Sequence, residues 1–490
     1  MRIKLFVSAL VGLGLTSLHA GDPKFKVHGG AWTDYGRIGK ASDSLLPGGD
    51  PSTRLNLNGN TLMSVGAQVT LVADLTEHFE GAFGFGAHRV NHAMGRGQKS
   101  FLTIAMFHHF LTESRLTWYS GDKAESPFSF TLGSFPYKYN RDAHNLGLYL
   151  FRGPVYPGIL MGGWGDFATD TTKSTQLGAK ASMAIGEAEG TRFSLDLILN
   201  SERDLPPTFD WSLGGVAKAG FLGAIEVGAG VNFYRLVPYD KRLQTPGKLS
   251  DRELGIAFRS DYIEVDPLDP TDTVFFTHQG VKVMGLVSVD FKPLLGLKES
   301  MSKDDFKIYG EAAILGLKDY GKTYGDIMQR MPMMVGFNVP TFGLLDKLSF
   351  EVERYTTPYR NDLANIGNNN MVADWTSRTP LEVPIPSPKP VTNADYKIDA
   401  EGRWINAAGD TVRTDGTGLS RENVTSDDIK WSLLLEKTFS KHIRLSGQVA
   451  NDHYRPRPVA TGLIASSGGV AEAFSESSNW YFMLRMGYFF

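Results

Sequence analysis

Glu351 and Glu353 are the two side chains in this sequence best spaced for acid–base work. Residues i and i+2 of a strand share a face. Two carboxylates held together can take the acid and base roles, although paired acids are equally ordinary in the lining of a water-filled pore. A second cluster, His108, His109 and Glu113, fails on geometry. Adjacent strand residues point to opposite sides, so the two imidazoles cannot converge on one metal or one proton. The sequence holds no G-x-S-x-G elbow to expose a serine nucleophile. It has no cysteine, which removes thiolate metal sites, cysteine nucleophiles and disulfides together. The acidic run 264–272, EVDPLDPTD, has carboxylates at a spacing that could hold Ca²⁺. Asp-Pro turns in a solvated loop account for it more simply. Neither an enzyme nor a cofactor is expected.

The richest segment is 133–158, GSFPYKYNRDAHNLGLYLFRGPVYPG. Tyr137, Tyr139, Tyr149, Phe151 and Tyr156 stand beside Lys138, Arg141 and Arg152. Rings and guanidinium groups at this density mark a segment packed against something. Aromatic faces beside charges can also stack on sugar rings. Tyr137, Tyr139, Arg141, Tyr149, Arg152 and Tyr156 are therefore candidates to line a constriction.

The elements that must position these groups are strands. Met63, Val65, Ala67, Val69, Leu71 and Ala73 occupy one face of a period-two segment. Ser64, Gly66, Gln68, Thr70 and Asp74 occupy the other, ahead of a tight turn at Thr76-Glu77-His78. The pattern recurs at 79–87, 177–185, 193–199, 225–233, 281–291, 306–314, 348–352, 431–435 and 443–449. The polar set carries both signs: Arg192, Arg444 and Arg485 against Asp196, Glu226, Glu311, Glu351 and Glu353. A soluble sandwich would rarely sustain such alternation over about 470 residues. A propeller would show a fixed repeat, which is missing.

Composition agrees. Residues 1–20, MRIKLFVSALVGLGLTSLHA, pair a charged start (Arg2, Lys4) with an apolar stretch from Leu5 to Leu18 and a small residue at Ala20. That is a secretory signal peptide, with the mature chain starting at Gly21. Removing it leaves 48 basic against 53 acidic residues, a net charge of about −5 that gives no support for nucleic-acid binding. No later stretch reaches 18 consecutive apolar residues, so helical membrane spans are excluded. Mean hydropathy is −0.18, which is compatible with a transmembrane barrel because half of each strand faces water.

The last eleven residues, WYFMLRMGYFF, send Trp480, Phe482, Leu484, Met486, Tyr488 and Phe490 to one face. Arg485 and Gly487 lie on the other. A lipid-facing strand bounded by aromatics has this form. This ending resembles the C-terminal signal of Gram-negative outer-membrane β-barrels, with Phe490 last and Tyr488 two before it. The resemblance implies recognition of Tyr488 and Phe490 by the barrel-assembly machinery. Thr131-Leu132-Gly133 followed by the aromatic segment resembles the general porin-like superfamily, in which a strand leads into a loop folded inward as a constriction. A homotrimer is the candidate assembly.

The chain is thus expected to be all-β: a single transmembrane antiparallel up-and-down barrel over 21–490, with 18 strands or alternatively 16. The count treats 101–111 and 115–121 as two strands. It also sets the tight connections 75–78, 112–114, 187–191, 220–223 and 439–442 on one side. The long ones at 36–61, 236–279, 357–428 and 452–478 fall on the other. Segment 136–156, the candidate constriction loop, then falls awkwardly on the short-turn side. Segment 357–428, Pro-rich from Pro380 to Pro390, reads as a long external loop. The function expected is a weakly selective porin-like channel in the outer membrane, through which small hydrophilic solutes diffuse passively. The alternative is an adhesin or structural barrel acting through its long loops. A plugged transporter is disfavoured, because strands begin at about residue 25 and leave no room for a plug.

Overall fold

In the computed structural model the residues described are 24–41, 61–92, 106–123, 125–151, 174–187, 189–201, 210–237, 261–266, 269–277, 280–297, 301–317, 327–356, 429–452 and 477–490. Short pieces at 44–45, 54–55, 58–59, 396–398, 404–406, 411–412 and Phe474 complete them. The expected signal peptide lies outside them, as does most of 357–428.

Sixteen strands close into one antiparallel barrel. In chain order they are β1 (Lys24–Lys40), β2 (Thr61–Asp74), β3 (Phe79–His92), β4 (Met106–Tyr119), β5 (Phe128–Tyr137), β6 (Ser174–Gly186), β7 (Thr191–Ser201) and β8 (Trp211–Phe221). Then come β9 (Ile225–Val237), β10 (Gly280–Asp290), β11 (Lys307–Ile314), β12 (Met333–Asn338), β13 (Lys347–Arg354), β14 (Ile429–Phe439), β15 (Ile443–Asn451) and β16 (Trp480–Phe489). Each strand pairs with its neighbours in sequence, and β1 also pairs with β16, from Gly30 opposite Phe489 to Lys40 opposite Trp480. The Gly29 and Phe490 backbones exchange two hydrogen bonds of 3.0 Å. Closure leaves no sheet edge to satisfy.

The count is 16, the expected alternative, rather than 18. Residues 112–114 are not a turn. Gly84 pairs with Glu113 and Phe85 with Leu111, so Thr112 is a bulged extra residue inside the single strand β4. Splitting β4 in two inverts the sense of the next strand, and a further strand before β6 is then needed to restore it. In fact β5 pairs directly with β6, Phe128 opposite Met183 through Tyr137 opposite Ser174. Segment 138–173 thereby moves to the end of the barrel that carries the long connections. The opposite end carries the short ones: 75–78, 120–127, 187–190, 222–224, 339–346 and 440–442, with a longer turn at 291–306. That turn contains the short helix α1 (Phe291–Leu295), capped by the Asp290 side chain and ended by Gly296 at φ 69°. At the long-loop end, 261–266 and 269–277 form a hairpin across the acidic run, and 396–398, 404–406 and 411–412 form a small sheet.

Alternation sorts the two faces. Outward side chains are apolar and exposed on strand after strand: Met63, Val65, Val69 and Leu71 on β2, Phe83 and Phe85 on β3, Val335 on β12, Leu484, Met486 and Tyr488 on β16. Aromatic rings gather at the short-turn end, where Trp118 meets Phe128 at 6.0 Å and His442 stacks on Tyr488 at 5.7 Å. This is an apolar band with an aromatic border. Among the described residues no helix is long and apolar enough to cross a membrane.

Candidate functional site

The lumen is divided. Residues 138–151 leave β5 and fold inside the barrel against one wall, chiefly β8 to β13. Three inward glutamates fasten the segment. On β13 the Glu351 carboxylate accepts the backbone N–H groups of His144 (2.6 Å), Asn145 (2.8 Å) and Leu146 (2.8 Å), and also the Tyr309 hydroxyl (2.9 Å). Three consecutive N–H groups turned on one anion form a nest, and the four donors fill the four lone-pair positions of the carboxylate. On β11 Glu311 accepts from the Tyr139 hydroxyl (2.6 Å), the Tyr149 N–H (2.8 Å) and the Asn140 amide (3.1 Å). Glu353 accepts from the Tyr149 hydroxyl at 2.7 Å. Glu351 and Glu353 are 1% and 0% exposed, so the pair that could have served acid–base chemistry is committed to holding the segment.

Apolar contacts complete the dock. Leu146, Leu148, Tyr149, Leu150 and Phe151 join Ile198, Val216, Met284, Leu286, Tyr309 and Met334 of the wall in one buried cluster. The wall makes room with glycines. A Cβ on Gly214 would stand 2.5 Å from the Phe151 ring, and one on Gly230 would stand 2.6 Å from Leu150. Gly147 turns the segment at φ 81°, and a Cβ there would meet Met334 at 2.6 Å. The inward segment is therefore a fixed inner wall rather than a loose flap.

Two titrating groups belong to this dock. Asp142 is held below the usual carboxylate range. Burial opposes this and pushes it up, but the Lys307 ammonium at 3.0 Å and the Ser288 hydroxyl at 2.6 Å prevail. His144 is pushed well below its ordinary value, first by burial and then by the charges of Lys347, Lys138 and Lys307. Its ring lies edge-on to Tyr309 and is docked neutral.

The other expected residues scatter. Tyr137 and Tyr139 are buried, with Tyr137 donating to Asp196 at 2.9 Å. Their rings and that of Tyr149 pack within the dock, so stacking on a sugar would first require undocking. Asp196 also accepts from Ser182 at 2.6 Å. Glu226 pairs with Lys218 at 3.1 Å, and Lys218 also donates to the Tyr139 carbonyl. Arg444 lies 3.8 Å from Glu436 and over the Phe489 ring. Arg485 pairs bidentately with Asp34 across the seam of the barrel, at 2.6 and 2.9 Å. Arg192 is exposed at the short-turn end of β7 and Arg141 is exposed on the inward segment. Tyr488 and Phe490 are exposed on the outer face. Arg152 and Tyr156 lie outside the described residues, as do the side chains of His108, His109 and the hairpin 261–277.

Among the described residues the wall opposite the dock stays open. A cavity of about 530 Å³ there is lined by β1, β2, β4, β5 and β6, with Gln68, Thr70, Glu113, Arg115, Thr131 and Lys180 among its residues. Sequence reading passed over Arg115 and Lys180. Lys180 is the inward residue between Ala179 and Ala181, so alternation could have found it. Arg115 was hidden by the bulge at Thr112.

A closed antiparallel barrel of sixteen strands, with short turns at one end, long connections at the other and one segment folded inside, has the architecture of a porin-like barrel. Comparison with solved structures returns porins at low identity and low TM-score. A mutant porin of Rh. blastica aligns over 95% of this chain and 100% of its own, at 7% identity and TM-score 0.36. Salmonella typhi OmpF, solved with daunomycin, aligns over 95% and 98%, at 9% identity and TM-score 0.39. No protein-family model matches the chain. No curated protein matches it.

Proposed function

We propose that this protein is an outer-membrane channel through which small hydrophilic solutes diffuse passively, with residues 138–151 setting its width. One observation carries the reading: the inward segment is fastened to one wall of the lumen by buried carboxylates, and the facing wall is polar and open. A sixteen-stranded barrel is wide enough for an aqueous path, and its outward apolar band suits lipid. In this reading the short turns face the periplasm, and the leader 1–20 and the ending at Tyr488 and Phe490 take the chain to its membrane. Charges of both signs line the lumen, which favours weak selectivity. Liposomes reconstituted with the folded protein should swell in neutral sugars at rates that fall steeply with sugar size. No swelling from folded protein would favour the alternative, a surface-binding barrel acting through 36–61, 236–279 and 357–428.

A further inference from the structure

We propose that the open cavity between β1, β2, β4, β5 and β6 is a binding station for small organic monoanions, held between Lys180 and Arg115. The proposal deepens the channel reading and rests on it, since the station would lie on the permeation path.

Lys180 projects into the lumen opposite Thr131 of β5. Its ammonium sits 5.6 Å from the Tyr137 ring centre and 5.9 Å from that of Phe135. Among the described residues no carboxylate lies within ion-pair distance of it. The nearby acid is Asp196, whose two oxygens are taken up by Ser182 and Tyr137. A half-buried ammonium flanked by rings and lacking a counter-ion is under-solvated, and an anion placed beside it relieves that cost.

Arg115 reaches the same cavity from β4. Its Nε donates to Glu113 at 2.8 Å, and its Nη1 donates to Glu80 at 2.8 Å and to Thr117 at 3.0 Å. Its Nη2 is not engaged by these three groups, and the guanidinium also bears on the Tyr119 hydroxyl at the cavity edge. Two cationic donors therefore face one space, together with the hydroxyls of Thr70, Thr117 and Thr131. Val72, Phe135 and Pro136 make part of the lining apolar, which suits a short organic chain. Charge decides the valence. Arg115 already serves two carboxylates and Asp196 stands near Lys180, so two cations face three acids and a ligand with more than one negative charge is disfavoured. A carboxylate can bridge Lys180 and Nη2, whereas a second carboxylate on the same molecule would meet Glu113 and Glu80.

The test combines current with chemistry. In planar bilayers under a potassium propionate gradient, the wild-type propionate-to-potassium permeability ratio should exceed the succinate ratio measured the same way. Lys180→Gln should lower the propionate ratio about three- to fivefold, the effect of one charge a few ångströms away in salt water. Lys180→Arg should keep it near wild type. Heat-modifiable mobility reports folding of each variant. Conducting Lys180→Gln channels with an unchanged ratio would overturn the station and leave the channel intact. If folded wild type passes no current, the channel reading fails. The station is then judged by acylation of Lys180 in detergent: propionate should slow it and succinate should not, and equal rates would sink it.

Discussion

The Glu351 carboxylate of the barrel wall accepts the Leu146 backbone N–H at 2.8 Å, as the last of three consecutive amide donors turned on that one anion. Hydrogen bonds to a charged acceptor are worth roughly 1.5–3 kcal/mol each, and leaving a buried donor unmade is costly. Glu351→Gln keeps the volume but puts an NH₂ group against N–H donors. The inward segment should loosen, with about 2–4 kcal/mol lost from its docking. Single-channel recordings should then show a larger mean conductance and more current noise than wild type. Conductance and noise equal to wild type would mean that Glu351 does not hold the segment.

The glycine seats give a steric counterpart. Gly214→Leu fills the space occupied by Phe151, and Gly230→Leu that of Leu150. Overpacking of this kind costs ~1–3 kcal/mol. Each variant should expose 138–151 to protease added to the folded protein, while the barrel core resists. Cleavage no faster than in wild type would show that the segment does not depend on these seats.

His144 predicts a response to acid. Its docked ring is neutral and its pKa lies well below 6.5. A released His144 takes a proton as pH falls below 6.5, whereas the docked one does not. Docking is therefore favoured fully above that value and weakens as pH falls below it, down to the lowered docked value. Asp142 acts in the same direction, further down the scale. Its pKa is lowered by docking, so its contribution is present above 3.8 and is lost only as pH falls through the lowered value. Between neutrality and about pH 5, wild-type open-channel noise should rise, and His144→Gln should flatten that rise. An identical pH profile in the variant would remove His144 from this role.

Much of this was legible in the sequence. Period-two alternation gave the inward and outward sets of β9 to β11 and β13 to β16, though it missed β12, and the aromatic density at 137–151 marked the inward segment. The choice of 16 over 18 strands was not legible, because a bulged residue such as Thr112 leaves no gap in an apolar run. The dock was only half legible. Glu311, Glu351 and Glu353 stand at inward positions that read equally well as pore acids, and only the fold brings backbone N–H groups of the inward segment onto them. Gly214 and Gly230 read as ordinary strand glycines until Phe151 and Leu150 are seen over them. Arg485 reads as a water-facing residue, yet it is 6% exposed and paired with Asp34 beside Trp32.

That pairing sets the expected cost of changes on the closing strand. Met486→Arg places a charge at the middle of the outer apolar band and should cost ~2–4 kcal/mol in lipid. Arg485→Lys keeps the charge but cannot keep both bonds to Asp34. It should cost about 1–2 kcal/mol, less than Met486→Arg though more than a residue in open water would. Denaturant titration of both variants in lipid vesicles checks the order. A Met486→Arg barrel as stable as wild type would place that face away from lipid.

The channel itself is tested most directly by the current through single folded molecules in a planar bilayer. Wild-type protein, shown to be folded by its heat-modifiable mobility, should give discrete conductance steps of uniform size, and Glu351→Gln should give larger, noisier ones. Folded wild-type protein that inserts but passes no current would contradict an open path along the wall of β1 to β6.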